Sequence, residues 1–147
     1  MGPKLLGFSK NFLVIEYLDG EKIGKWINKL KENPDVAQLK KIIKKTLTDC
    51  YKLDKIRLDH GELSNITKHV IVGKKITIID FESSSMERRV SNVTSATQAF
   101  FIGSGISKTV KRVYKIPEKK KIINVLRRYK QDQSRESFES LLNVLKI

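Results

Sequence analysis

The groups able to do chemistry gather around one aspartate and a polar loop that precedes it. Asp80 directly follows the β-prone run Ile76-Thr77-Ile78-Ile79, so it is displayed at a strand's carboxyl end. His60 and Glu62 lie earlier, on the loop Leu58-Asp59-His60-Gly61-Glu62-Leu63-Ser64-Asn65. A carboxylate at a strand end is well placed to hold a hard divalent cation. A second one brought close to it can orient that ion or take a proton from a hydroxyl. The chemistry suggested is metal-assisted transfer to an oxygen nucleophile.

The elements around these residues explain how they would meet. Val70-Ile71-Val72 and Ile76-Thr77-Ile78-Ile79 flank Gly73-Lys74-Lys75, which predicts a tight hairpin over 70–79 that carries Asp80 back towards the loop. A first hairpin is expected from Lys4–Phe8 and Phe12–Tyr17 around the turn-like Ser9-Lys10-Asn11. After Asp19-Gly20 a helix is predicted from Glu21, its stripe Ile23, Trp26, Ile27 and Leu30 at i, i+3, i+4 and i+7, closed by Asn33-Pro34. Asp35 is the expected N-cap of a longer helix with Val36, Leu39, Ile42, Ile43, Leu47, Cys50 and Tyr51 on one face and Lys40, Lys41, Lys44 and Lys45 on the other. Further helices are predicted over Asn92–Gly103, Ser107–Val113, Pro117–Tyr129 and Ser134–Leu145, with Pro117 at a first helical position. No repeat or linker interrupts this pattern, so one mixed α+β domain is expected.

Four segments in this order resemble the protein-kinase superfamily, in its atypical archaeal and RIO-like serine/threonine branches. His60-Gly61-Glu62-Leu63-Ser64 is similar to the catalytic loop, where the family has His-x-Asp-Leu followed by an Asn. Ile78-Ile79-Asp80-Phe81-Glu82 is similar to the metal-binding Asp-Phe-Gly motif, with Glu in the Gly place. Phe12–Gly20 is similar to the last N-lobe strand and the hinge, and the two helices after it to the first of the C-lobe.

The resemblance implies a kinase-like C-lobe, mainly helical, over residues 21–147, with 1–20 as an N-lobe remnant and hinge. It implies an adenine edge met by the Glu16 carbonyl and the Leu18 N–H, and Mg2+ held by Asp80 against the phosphates of ATP. Glu62 takes the place of the catalytic base, and His60 braces the loop against the Asp80 region. The family's Asn, a second metal ligand, has its counterpart in Asn65, two residues early; counted back from Val70, the same place falls on His69. Residues 1–147 hold no counterpart of the Gly-rich loop, the strand lysine or its partner Glu, which grip the β- and γ-phosphates. The implied activity is ATP-dependent phosphoryl transfer to a hydroxyl of a protein substrate, by a divergent or incomplete kinase that needs an N-lobe, either fused to it or brought by an N-lobe-bearing partner chain.

Composition bounds the alternatives. Thirty Lys and Arg against 16 Asp and Glu give a net charge of +14, which favours polyanionic partners through salt-dependent contacts. A noncatalytic basic module that binds nucleic acid or a ribonucleoprotein is therefore the competing reading. Only 7% aromatic residues, and no zinc-finger, KH-like or RNP-like pattern, argue against sequence-specific readout. The single cysteine, Cys50, excludes an internal disulfide and a Cys-cluster zinc site, and its apolar neighbours predict a buried thiol. The longest apolar runs, Phe12–Ile15 and Ala99–Ile102, fall far short of a membrane span. A soluble, cytoplasmic chain without membrane contact is expected.

Overall fold

The computed structural model describes residues 1–30, 35–103 and 105–147. The fold is α+β, with two small antiparallel sheets and a helical body. The predicted Asn33-Pro34 helix stop lies outside the described residues.

The chain starts as a hairpin of β1 (Leu5–Phe8) and β2 (Leu13–Ile15), closed by the Ser9 N–H donating to the Phe12 carbonyl (2.8 Å). Most of its apolar side chains face away from the body: Phe8 is 79% exposed, Phe12 75% and Leu13 68%. The hairpin therefore contributes little to the core. Its foot is nevertheless tied down, because the Ile78 N–H donates to the Met1 carbonyl (3.0 Å).

Next comes β3 (Gly20–Lys22), where the sequence predicts the first turn of a helix. It pairs with β4 (Val70–Gly73), which pairs in turn with β5 (Ile76–Ile78), so the central hairpin is the larger part of a three-stranded sheet. Two glycines make the third strand feasible. They lie opposite each other, Gly20↔Gly73; a Cβ on Gly20 would stand 2.7 Å from the Val72 carbonyl oxygen, and one on Gly73 2.0 Å from that of Asp19. No larger residue fits so close an approach without moving the strand.

Helix α1 (Ile23–Lys29) follows β3 and buries Ile23 and Ile27, while Trp26 packs half-buried against the core. The backbone anchor is α2 (Val36–Lys55), capped by the Asp35 carboxylate accepting from the Gln38 N–H (2.8 Å). Leu39, Ile42, Ile43, Leu47, Cys50 and Leu53 form its buried stripe; Val36, predicted to join it, is exposed, and Tyr51 instead stacks on Phe138. Each Leu or Ile so buried contributes roughly 1.5–3 kcal/mol, so this stripe outweighs the exposed hairpin as a source of stability. The Cys50 thiol is fully buried, and that burial pushes its pKa up.

A single 3-10 turn (Leu63–Asn65) and the one-turn helix α3 (Ile66–His69) connect the polar loop to β4. Four helices complete the body: α4 (Asn92–Phe101), α5 (Ile106–Val113), α6 (Lys119–Asp132) and α7 (Arg135–Leu145). Pro117 stands before α6 rather than at its first position, with Glu118 as the N-cap, whereas Ser134 caps α7 as its hydroxyl accepts from the Ser137 N–H. Among the described residues no helix is long and apolar enough to cross a membrane.

Candidate metal and catalytic site

The loop that carries His60 and Glu62 is held from three sides. At its start Asp59 bridges to Ser85, each N–H donating to the other's carbonyl (2.9 and 2.8 Å). The buried Asp59 carboxylate then accepts from the Ser91 N–H (3.0 Å) and from Arg88 Nε (3.2 Å). The His60 N–H donates to Asn92 Oδ1 (2.8 Å) at the head of α4. Asn92 is itself fixed by the buried Asp54 carboxylate, which accepts from its N–H and its side-chain amide (3.0 and 2.8 Å). A chain of buried hydrogen bonds thus runs from α2 through α4 into the loop.

His60 is fully buried, and its ring Nε2 lies 2.9 Å from the Ile79 carbonyl, one residue before Asp80. The ring also packs against Phe81, with centroids 4.8 Å apart. Burial pulls the His60 pKa down, which favours a neutral ring whose Nε2–H donates to that carbonyl. It therefore joins the loop to the strand end and reaches no solvent.

Asp80 leaves β5 with φ 69°, the left-handed region that a non-glycine residue enters at a cost of about 1–2 kcal/mol. That kink turns its carboxylate out of the sheet towards the loop. Between Asp80 and Glu62 stands His69, the last residue of α3, only 4% exposed. Its Nε2 is 3.1 Å from Glu62 Oε2, and its Nδ1 is 3.6 Å from Asp80 Oδ2. Each of the three residues offers a ligand atom within 4.8 Å of the others. The other Glu62 oxygen accepts from the Ser83 hydroxyl, and this bond, ahead of the nearby histidines, holds the Glu62 carboxyl below the usual range.

Glu62, His60 and Asp80, singled out in the sequence, are thus brought together by the loop and the hairpin. Asn65 is placed differently: it is exposed on the 3-10 turn, and its Oδ1 accepts from the Thr67 hydroxyl (2.7 Å). The residue beside Asp80 is His69, and the signal for it was its position directly before the first strand of the hairpin. Ser83, on the segment after Asp80, carries no sequence signal of its own, yet its hydroxyl donates to Glu62.

The expected hinge residues lie on the segment between β2 and β3. The Glu16 N–H donates to the Lys4 carbonyl and its carboxylate accepts from the Lys4 N–H (both 2.9 Å), while Leu18 stays half-buried. The strand that follows this segment, β3, pairs with β4, and β4 with β5, the strand before Asp80. A separate cleft of about 730 Å³ opens between α2 and the β4–β5 turn. Lys41, Lys44, Lys45, Lys74 and Lys75 line it, and it shares no residue with the trio.

No protein-family model matches the sequence. The chain is similar to Uncharacterized protein MJ1211 of Methanocaldococcus jannaschii, 30% identical over 97 residues, which covers 66% of this chain and 80% of that protein.

Proposed function

We propose a kinase-like function for this chain, which belongs to the family of Uncharacterized protein MJ1211: ATP-dependent phosphoryl transfer to a serine or threonine hydroxyl of a protein substrate. The observation that carries the proposal is the convergence of Glu62 and Asp80 on the two nitrogens of one buried histidine, at 3.1 and 3.6 Å. A catalytic carboxylate and an ion-holding carboxylate must face one cleft for such a transfer, since the protein's part is positioning and charge stabilisation. The donor set also fits a cation, because the buried His69 Nδ1 has no hydrogen-bond partner and lies beside a carboxylate oxygen.

In this reading Asp80 holds the divalent ion, which when bound neutralises charge on the nucleotide phosphates. Glu62 is ionised and accepts the proton of the attacking hydroxyl, after giving up its bond to Ser83. His60 keeps both in register through Ile79. The Glu16 carbonyl and the Leu18 N–H meet the adenine edge. The groups that would grip the β- and γ-phosphates have no counterpart within residues 1–147, and an N-lobe, fused or in trans, would supply them.

Calorimetry with ATP and a divalent ion, on wild type and Asp80→Asn, tests this. Weak, ion-dependent binding by wild type and its loss in the variant are expected. Equal binding by both, or none at millimolar ATP, would refute the nucleotide site. The lysine-lined cleft favours a second reading, a basic module for nucleic acid; its mark is salt-dependent RNA retention with no ion-dependent ATP binding.

A further inference from the structure

The ion expected at Asp80 is magnesium, but the residues beside it suit a different one. Mg2+ favours an all-oxygen octahedral shell and keeps most of its waters, whereas imidazole nitrogen suits the first-row transition ions. Here the carboxylate oxygen nearest the buried imidazole of His69 is Asp80 Oδ2, 3.6 Å from Nδ1.

The geometry points to Nδ1 as the free nitrogen. Glu62 Oε2 lies 3.1 Å from Nε2, nearer than the Asp80 carboxylate oxygen comes to Nδ1, so a single ring proton is best placed on Nε2. Nδ1 is buried and without a hydrogen-bond partner, and with the proton on Nε2 its lone pair faces the Asp80 carboxylate oxygen. A carboxylate that orients a histidine by accepting its second N–H, while the other nitrogen meets the ion, is the usual outer arrangement of a protein metal site.

We propose that Asp80 Oδ2 and His69 Nδ1 are the protein ligands of a divalent first-row transition ion of the manganese-to-zinc class, bound in preference to magnesium. Glu62 is the positioning residue that fixes the His69 tautomer. The inference deepens the kinase-like reading and rests on it for Asp80 as the ion-holding group, but the site needs no nucleotide to be measured.

The experiment uses the full chain without nucleotide, with Zn2+ and Mg2+ as separate probes. Calorimetry gives both affinities for wild type, His69→Asn and Asp80→Asn, and 15N NMR of the histidine rings identifies the ligating nitrogen. Zn2+ should bind wild type at least about tenfold more tightly than Mg2+ does, and should move the His69 Nδ1 resonance while leaving His60 in place. His69→Asn should lose most of that preference, and Glu62→Ala should weaken Zn2+ roughly 10- to 100-fold. Equal Zn2+ and Mg2+ affinities would overturn the inference, as would unchanged Zn2+ binding in His69→Asn. So would a His69 Nδ1 that stays protonated at saturating Zn2+, since His69 would then be a cationic tie between two carboxylates. Titration with ATP separates the two readings. Zn2+ selectivity without ATP binding would leave the ion site and remove the nucleotide. ATP binding with Mg2+ that ignores His69→Asn would do the reverse.

Discussion

Replacing Asp54 tests whether the loop is positioned from α2. Asp54 is 3% exposed, and its carboxylate accepts from the Asn92 N–H, the Asn92 amide, the Val93 N–H and the Tyr129 hydroxyl. Asp54→Ala strips these buried donors of their acceptor. Hydrogen bonds worth about 1 kcal/mol net apiece would total about 4 kcal/mol. Against that stands the cost of burying a carboxylate, the main reason the Asp54 pKa is raised, which the variant relieves. A net loss of about 3 kcal/mol is expected, or roughly 6–12 °C in Tm for a domain of this size. Asp54→Asn keeps an acceptor for Asn92 but points an amide at the Val93 N–H, so about 1–2 kcal/mol is expected.

The sign of the pH dependence follows from the raised value. The protonated acid is favoured in the fold, so this stabilisation is complete below the ordinary carboxylate range and lost as pH rises through the folded value. The gap between wild type and Asp54→Asn should therefore be widest in acid and narrow towards neutrality. Urea unfolding across that range measures it. Because Asn92 also accepts from the His60 N–H, the His60 amide should exchange faster in Asp54→Ala. A stability within 1 kcal/mol of wild type, or a gap that widens as pH rises, would refute the reasoning.

Ser83→Ala removes the strongest influence that depresses the Glu62 pKa, so the Glu62 carboxyl should titrate closer to the usual glutamate range in a 13C NMR titration; an unmoved midpoint would mean that the Ser83 bond does not govern it. Phe8→Ser and Phe12→Ser should each leave equilibrium stability within about 0.5 kcal/mol of wild type, since both rings are mostly exposed, and a loss above about 1.5 kcal/mol would show that the hairpin packs on the body.

What the sequence carried and what it did not divide along physical lines. The α2 stripe and the central hairpin were legible because a 3.6-residue apolar stripe, and two β-branched runs flanking Gly73-Lys74-Lys75, are local signals. The strand Gly20–Lys22 was not, for it spans three residues and depends on a distant glycine, Gly73, that lets two backbones approach. The same distinction applies within the site. Glu62 and Asp80 could be found because their residue types sit at informative places: a polar loop and a strand end. His69 could be found only as a position before a strand. Its role depends on one turn of helix, Ile66–His69, too short to leave a periodic trace, which inserts the ring between two carboxylates. The left-handed turn at Asp80 is likewise invisible in sequence, since aspartate there costs energy that local preference would avoid. His60, bonded to Ile79 and packed on Phe81, fixes the residues on either side of that turn and so offsets its cost. The strain is thus held by the histidine that the resemblance made a brace, and the histidine beside the two carboxylates is the one that the count back from Val70 put in the place of the family's Asn.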